Sequence, residues 1–240
     1  MTRKDAAGSR PLQKMFMAVP PSYDLLNRLL TLRLDEYWRK KTARLILSDQ
    51  PEKVLDLCTG TGDLALHLRR QANPSTKVYA LDYSEPMLQI ARKKAKKSAH
   101  GIIEFNQGDA ASMPYEDGFF DAVGIAFAFR NLTYKNPDTE KFLKEIRRVI
   151  RPGGRFVAVE TSQPNSRLLR AMYYTYMRAV TVPIGGMLSG HRGAYHYLAH
   201  SAIHYHTANE LKEILLAAGF PSVQYRLLFG GVAAIWDCRV

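Results

Sequence analysis

The feature that most constrains this chain is an alternation of short apolar runs with amphipathic segments between residues 53 and 160. KVLDLC (53–58), KVYALD (77–82), IIEFNQ (102–107), FDAVGIAF (120–127) and RFVAVE (155–160) read as strands. Helices are expected between them, at about Asp63–Arg70, at Glu85–Lys97 behind a Ser84 cap, and at about Asp138–Ile150. Strands that alternate with helices need right-handed crossovers and build a parallel sheet. After a helix at Ala208–Ala218 the pattern changes: SVQYRLLF (222–229) and GVAAIWDC (231–238) meet at Gly230 and Gly231. That reads as an antiparallel hairpin forming the last two strands. The expected fold is α/β: a doubly wound, seven-stranded, Rossmann-like sheet with a C-terminal antiparallel hairpin and a helical cap.

At 240 residues the chain suits one large domain. Residues 1–15 read as a flexible tail and 16–240 as the domain. Within it, 16–50 is expected to be a helical lid in two pieces, ended by Pro51, and 161–206 a cap insertion. Lys and Arg number 34 against 22 Asp and Glu, a net charge of +12. Such an excess favours anionic partners, either nucleic acid or an anionic membrane surface. The two cysteines, Cys58 and Cys238, make neither a disulfide framework nor a metal cluster, which suits a reducing cytoplasm. The N-terminus lacks the apolar run of a signal peptide. No stretch reaches the roughly 20 apolar residues that span a bilayer, so membrane contact is expected to be peripheral.

Asp56-Leu57-Cys58-Thr59-Gly60-Thr61-Gly62-Asp63 follows a strand and opens a helix. Glycines there let the backbone turn tightly and approach a ligand. Asp82 ends the second strand, 20 residues after Gly62, where a doubly wound sheet places a carboxylate for ribose hydroxyls. A nicotinamide cofactor is the rival, since Gly60 to Ala65 satisfies G-x-G-x-x-A. Asp56 tilts the choice toward a cationic amino-acid cofactor. Asp63 tilts it the same way, because a pyrophosphate prefers bare N–H groups at a helix start. A terminal hairpin is also unexpected in a nicotinamide domain.

The loop, L-D-Y-S-E-P-M-L (81–88), G-D-A-x-x-M-P (108–114) and R-P-G-G-R (151–155) are similar to the motifs of class I methyltransferases. Phe16, Tyr23-Asp24, Asn27 and Trp38, with F-A-F-R-N (127–131), E-T-S-Q-P (160–164) and F-G-G-V-A-A-I-W (229–236), narrow the likeness. From about residue 16 onward the chain resembles the UbiE/MenG/COQ5 family of quinone-biosynthesis C-methyltransferases. The resemblance implies S-adenosyl-L-methionine as cofactor, S-adenosyl-L-homocysteine as product, and no metal. It implies that Thr61 and the backbone of Gly60 and Gly62 meet the methionine part, with Asp56 close by. Asp82 would hold the ribose, and Asp109 with the backbone of Ala110 would meet the adenine. The bland alternatives are a turn carboxylate for Asp109 and a helix cap for Asp82.

Methylation of an aromatic carbon is helped when the ring hydroxyl loses its proton, and a phenol has a pKa of about 10. A nearby cation therefore helps. Arg130 and Asn131 follow the fourth strand at the ligand-binding edge of the sheet and are the expected catalytic residues. Arg130 is a poor base, so it is expected to stabilise an oxyanion, with Asn131 donating a hydrogen bond or positioning a water. The alternative is an Arg130 that pairs with a carboxylate and shapes a loop. Tyr23, Arg130, Tyr173 and Tyr197 are the expected substrate contacts, with packing as the alternative role for Tyr23.

Between Glu160 and Glu210 lie 49 residues with no Asp or Glu, but with four Arg, five His and six Tyr. Its apolar stretch 168–188 suits a greasy channel, and its lack of acids suits an anionic membrane; a core helix with a basic exterior is the plainer reading. His196, His200 and His204 have i,i+4 spacing and would share a helix face; solvated imidazoles are favoured over a metal site. R-K-K-A-K-K (92–97) reads as the solvent face and basic end of a helix. G-H-R-G-A-Y (190–195) and Y-L-A-H-S (197–201) replace acidic stretches usual in the family, and E-T-S-Q-P looks closer to its menaquinone branch.

The leading expectation is thus C-methylation of a prenylated, demethylmenaquinol-like ring, with the ubiquinone-pathway benzoquinol as a related substrate. The rivals are another aromatic acceptor, an RNA methyltransferase suggested by charge alone, and a non-enzymatic scaffold. Expected partners are a lipophilic quinol, an anionic membrane surface at its inner face, and a second copy of the chain. Nucleic acid is not expected, because no separate RNA-binding module fits the chain.

Overall fold

The computed structural model describes residues 23–98, 101–189 and 192–240. The expected tail, Phe16 and His191 lie outside the described residues, as does the Tyr23 side chain. Helices α1 (Tyr23–Leu30) and α2 (Leu34–Ile46) come first. The chain breaks between them where Leu32 and Arg33 take positive φ angles of 51° and 62°. There follow β1 (Lys53–Leu57), α3 (Asp63–Gln71), β2 (Lys77–Asp82), α4 (Glu85–Lys96), β3 (Ile103–Gln107) and β4 (Phe120–Ala126). Next are the short α5 (Phe129–Thr133), α6 (Thr139–Val149) and β5 (Ile150–Thr161). A helical cap of α7 (Arg167–Tyr176), α8 (Val182–Ser189) and α9 (Arg192–Ile203) precedes α10 (Ala208–Ala217), β6 (Ser222–Leu228) and β7 (Ala233–Arg239).

The seven strands form one sheet in the order β3-β2-β1-β4-β5-β7-β6. β1 to β5 are parallel, and β7 runs antiparallel to both β5 and β6. Strand order reverses at β1, which lies between β2 and β4, so the crevice at the carboxyl ends of β1 and β4 is where such a sheet binds ligands. The central strands β1, β2, β4 and β5 are mostly buried because both of their faces are covered, whereas the edge strands β3 and β6 are half exposed. Leu55, Tyr79, Val123 and Phe156 point to one face, toward α6 and α10. Val54, Val78, Ala122 and Val157 point to the other, toward α2 and α3. Trp236 on β7 is fully buried, and its indole N–H donates to the Ala208 carbonyl at 3.0 Å, pinning α10.

Two boundaries differ from expectation. The fifth strand begins at Ile150, not Arg155, because Ile150 pairs with Phe120 before the register shifts to Ala122 with Arg155. R-P-G-G is therefore an excursion within the strand, with Gly153 at φ +77°. The apolar stretch 168–188 is two helices joined by a π-helical turn at Met177–Thr181, next to Pro183, which has no N–H to donate. No helix among the described residues is long and apolar enough to cross a membrane.

Candidate active site

The Gly-rich turn is built by Asp56. This residue is almost fully buried at the end of β1, and its Oδ2 accepts from the Thr59 hydroxyl and from the Ala65 N–H at 2.9 Å. Burial pushes its carboxyl up to about 7, against the lowering effect of those two donors. Gly62 has φ +84°, and a Cβ there would sit 2.9 Å from the Ala91 Cβ, so only glycine lets α4 approach. Gly60 has φ +55°, and a Cβ there would meet nothing within 4 Å, so its open side is free for a ligand.

Asp82 accepts backbone N–H groups on both oxygens: Gly60 donates to Oδ2 at 2.7 Å and Ser84 to Oδ1 at 2.8 Å, and the Tyr83 N–H also favours the carboxylate. Burial raises its pKa above the ordinary value, while those N–H groups pull it down. Asp109 is exposed and accepts the Ala111 N–H at 2.8 Å, and Ala110 is buried beside it. The Gly60 N–H is taken by Asp82 and the Gly62 N–H by the Thr59 carbonyl at 2.9 Å, and Gly62 is set back from the cavity wall.

Thr61 faces the cavity, but its hydroxyl donates to Asp24 of α1 at 2.6 Å. Lys94 of α4 reaches the same hydroxyl at 3.1 Å and Asp24 at 2.8 Å, and it also binds Asp63. Arg28 of α1 pairs with Glu36 at 3.2 Å and Asp63 at 3.4 Å, and Glu36 with His67 at 3.2 Å. The His67 hydrogen bond and Arg28 hold the Glu36 carboxyl down at about 2 against its burial. These ties fasten α1 and α2 across the turn. The lysine-rich run is thus not a plain solvent face: Lys94 is largely covered and belongs to this latch.

At the end of β4, Phe127 takes φ 58° and α5 begins. The adjacent end of β5 supplies Glu160, which has no solvent exposure. Its Oε1 accepts from Arg130 Nη1 at 3.0 Å and its Oε2 from the Arg130 backbone N–H at 3.0 Å. Nη1 also donates to the Thr161 hydroxyl at 2.6 Å. The carboxylate pairing considered from sequence is therefore real. It leaves Arg130 Nε buried without a partner among the described residues.

The hydroxyls of Tyr173 on α7 and Tyr134 after α5 are likewise buried without a partner among the described residues. Burial raises the phenol pKa of Tyr173 and of Tyr197, with Arg130 pulling both the other way. Their hydroxyls are accordingly neutral donors at ordinary pH.

One cavity of about 630 Å³ joins these parts. Asp56, Gly60, Thr61, Asp82, Asp109 and Ala110 line one end; Arg130, Asn131, Tyr134, Tyr173 and Tyr197 line the other. Its size is typical of a small-molecule site. Helices α1 and α2 contribute Asp24, Leu30, Trp38 and Arg39 to its wall. Sequence reasoning missed Tyr134 and Tyr83. Tyr83 follows Asp82 directly, is half exposed and lines the cavity. Its place one residue beyond the ribose carboxylate was the available signal. His196 and His200 are exposed on α9 and His204 in the turn just after it, with the last two rings 4.4 Å apart. No cluster of three or more metal-ligating side chains occurs among the described residues.

Comparison with known proteins follows the same lines. The solved SAM-dependent methyltransferase of Aquifex aeolicus shares the fold, with a TM-score of 0.58 over 99% of this chain and all of its own, at 19% identity. The demethylmenaquinone methyltransferase of Thermus thermophilus is 46% identical over 92% of this chain and 97% of its own length. The ubiquinone/menaquinone biosynthesis C-methyltransferase UbiE of Geobacter sulfurreducens is 37% identical over 98% of this chain and 90% of its own. The model of the ubiE/COQ5 methyltransferase family matches residues 3–238. The chain belongs to the ubiE/COQ5 methyltransferase family and is an S-adenosylmethionine-dependent methyltransferase.

Proposed function

We propose that this enzyme methylates a ring carbon of a prenylated quinol, converting demethylmenaquinol to menaquinol and releasing S-adenosyl-L-homocysteine. The observation that carries this reading is the single cavity running from Asp82 to Arg130 and the tyrosines. A cofactor at one end and a ring at the other would be in contact without a water-filled gap. The relatives named for demethylmenaquinone support the choice of ring.

The first end fits the cofactor on its own terms. Asp82 offers its carboxylate to two ribose hydroxyls, and Gly60 leaves room. Tyr83 offers a face on which adenine can stack, with Asp109 beside it. When bound, S-adenosylmethionine supplies an electrophilic methyl group on a sulfonium. Asp56, raised to about 7, favours a cation.

At the other end, the Arg130 guanidinium lowers the pKa of a ring hydroxyl placed against it. Glu160 holds Nη1 with one oxygen and the Arg130 backbone N–H with the other, which leaves the other guanidinium nitrogens to donate. The resulting oxyanion would push electron density onto the adjacent ring carbon, which would take the methyl group as the carbon–sulfur bond breaks and its electron pair passes to the sulfur. The ring would regain aromaticity by releasing the proton from that carbon to solvent. Asn131 is the second donor near this oxygen. Tyr134, Tyr173 and Tyr197 donate to the ring's other oxygen. Helices α1 and α2 act as a lid that excludes water, held by the Lys94 latch. An anionic membrane surface is the source of the prenylated substrate.

The test is mass spectrometry after incubation with isotopically labelled cofactor and a panel of demethylated quinols. Label on the ring carbon of demethylmenaquinol supports the reading; label only on another phenol, or on RNA, overturns it. A benzoquinol product beside the naphthoquinol one would extend the activity to the ubiquinone pathway.

A pH dependence follows from Asp56. Its pKa is raised without cofactor, and a bound ammonium group favours the carboxylate. Binding below pH 7 therefore releases a proton. Affinity for S-adenosylhomocysteine is expected to rise with pH up to about 7, by at most tenfold per unit, and to level off above. Calorimetry in buffers of different ionisation heat measures the released proton directly. In Asp56→Asn the slope should vanish; an unchanged slope would assign it to another group.

A further inference from the structure

Four large apolar side chains stand in solvent around the mouth of the cavity. Leu168 is 73% exposed and Met172 60%, both on the outer face of α7. Ala171 and Thr175 complete that face at i,i+3,i+4,i+7 spacing, and all four residues are exposed. Tyr173 of the same helix turns inward to the cavity. Leu32 is 77% exposed in the turn between α1 and α2, and Phe229 is 64% exposed in the turn between β6 and β7. Leu32, Met172 and Phe229 line the cavity and are exposed at once, which places them at its opening. Leu32 and Phe229 also hold positive φ angles of 51° and 44°, a conformation that disfavours bulky residues. Three separate elements thus present grease at one opening, two of them from strained backbone.

The exposed charges next to these apolar side chains are positive. The segment from 161 to 209 contains no carboxylate, and its Arg167 and Arg178 are exposed on or beside α7. Arg33 is exposed next to Leu32, and the exposed Lys135 lines the cavity. An apolar patch rimmed by cations fits an anionic bilayer better than a neutral protein face.

We propose that Leu32, Leu168, Met172 and Phe229 insert into the acyl layer of an anionic membrane while Arg33, Arg167 and Arg178 lie among its headgroups. The cavity mouth then opens onto lipid, and a prenyl tail passes from bilayer to site without crossing water. This rests on the lipophilic quinol proposed above as substrate, and it adds the face that docks and its orientation.

The experiment is co-sedimentation of the full chain with phosphatidylcholine vesicles, and with vesicles containing about one third phosphatidylglycerol. Binding is expected to the second kind and to weaken as salt rises. Leu168→Asp, and separately Arg167→Glu with Arg178→Glu, should each lower partitioning about tenfold or more. Neither change touches the cavity wall, so turnover of a short-chain, water-soluble quinol and uptake of S-adenosylhomocysteine should be unchanged, which also confirms folding. Undiminished vesicle binding in both variants, or none by the parent chain, overturns the proposal. So does a dimer in light scattering that Leu168→Asp dissociates, because a second copy would then cover this face. If vesicle binding behaves as stated but no quinol is methylated, the docking face survives and the substrate assignment fails.

Discussion

Replacing Asp82 by alanine is expected to weaken S-adenosylhomocysteine binding by two to four orders of magnitude. The carboxylate ends β2 at the mouth of the crevice, where the backbone N–H groups of Gly60 and Ser84 fix its two oxygens. Two ribose hydroxyls donating to it would form charge-assisted hydrogen bonds of roughly 1.5–3 kcal/mol each. Together that is about 3–6 kcal/mol, or some two to four decades in Kd. The loss has a second part. The 2.7 Å bond from the Gly60 N–H ties the turn to β2, and without it the turn is free to shift. Asp82→Asn keeps one acceptor and should bind between parent and alanine variant. Titration calorimetry gives the three affinities. If the alanine variant binds within threefold of the parent, Asp82 is a turn anchor alone and the cofactor sits elsewhere.

What could be read in advance depended on sequence distance. Asp82 was legible because strand, turn and helix lie within 26 residues of β1's end, and that local order dictates where the carboxylate stands. The central strands were legible because both of their faces are covered, so those runs are mostly apolar. The start of β5 was not, because R-P-G-G has the composition of a turn. Only the pairing of Ile150 with Phe120, a contact between strands, makes it part of the sheet. Lys94 was misread for a similar reason. A run of lysines on a helix end needs no partner to explain it, and its partner Asp24 is 70 residues away. Arg130 and Glu160 were each singled out, but not as a pair. Their union follows from β4 lying beside β5 with Ala126 opposite Val159, which brings both strand ends together. Tyr173 was expected as a substrate contact but Tyr134 was not, since whether a tyrosine hydroxyl has a partner is a property of the packed site.

The other large effect is expected at Arg130, where geometry and charge can be separated. Arg130→Met leaves Glu160 as a fully buried carboxylate without its cation, which typically costs about 3–5 kcal/mol of stability. A fall in turnover there would be uninformative alone. Arg130→Met combined with Glu160→Gln removes both charges and should recover much of the melting temperature. Its kcat should still fall by about 10²–10³, the usual consequence of losing an oxyanion donor. Cofactor affinity should hardly change, because Asp82 and the glycine turn lie at the other end of the cavity. Arg130→Lys keeps a cation but not the fork that reaches Glu160, Thr161 and the substrate together. Its deficit should shrink as pH rises, because a ring hydroxyl less assisted by the weaker cation ionises at higher pH. Stopped turnover with a water-soluble quinol between about pH 6 and 10 would show this as an alkaline shift of the rate profile. A stable double variant with parental kcat, or a lysine variant whose profile does not move, would leave Arg130 as a strut for α5 and no more.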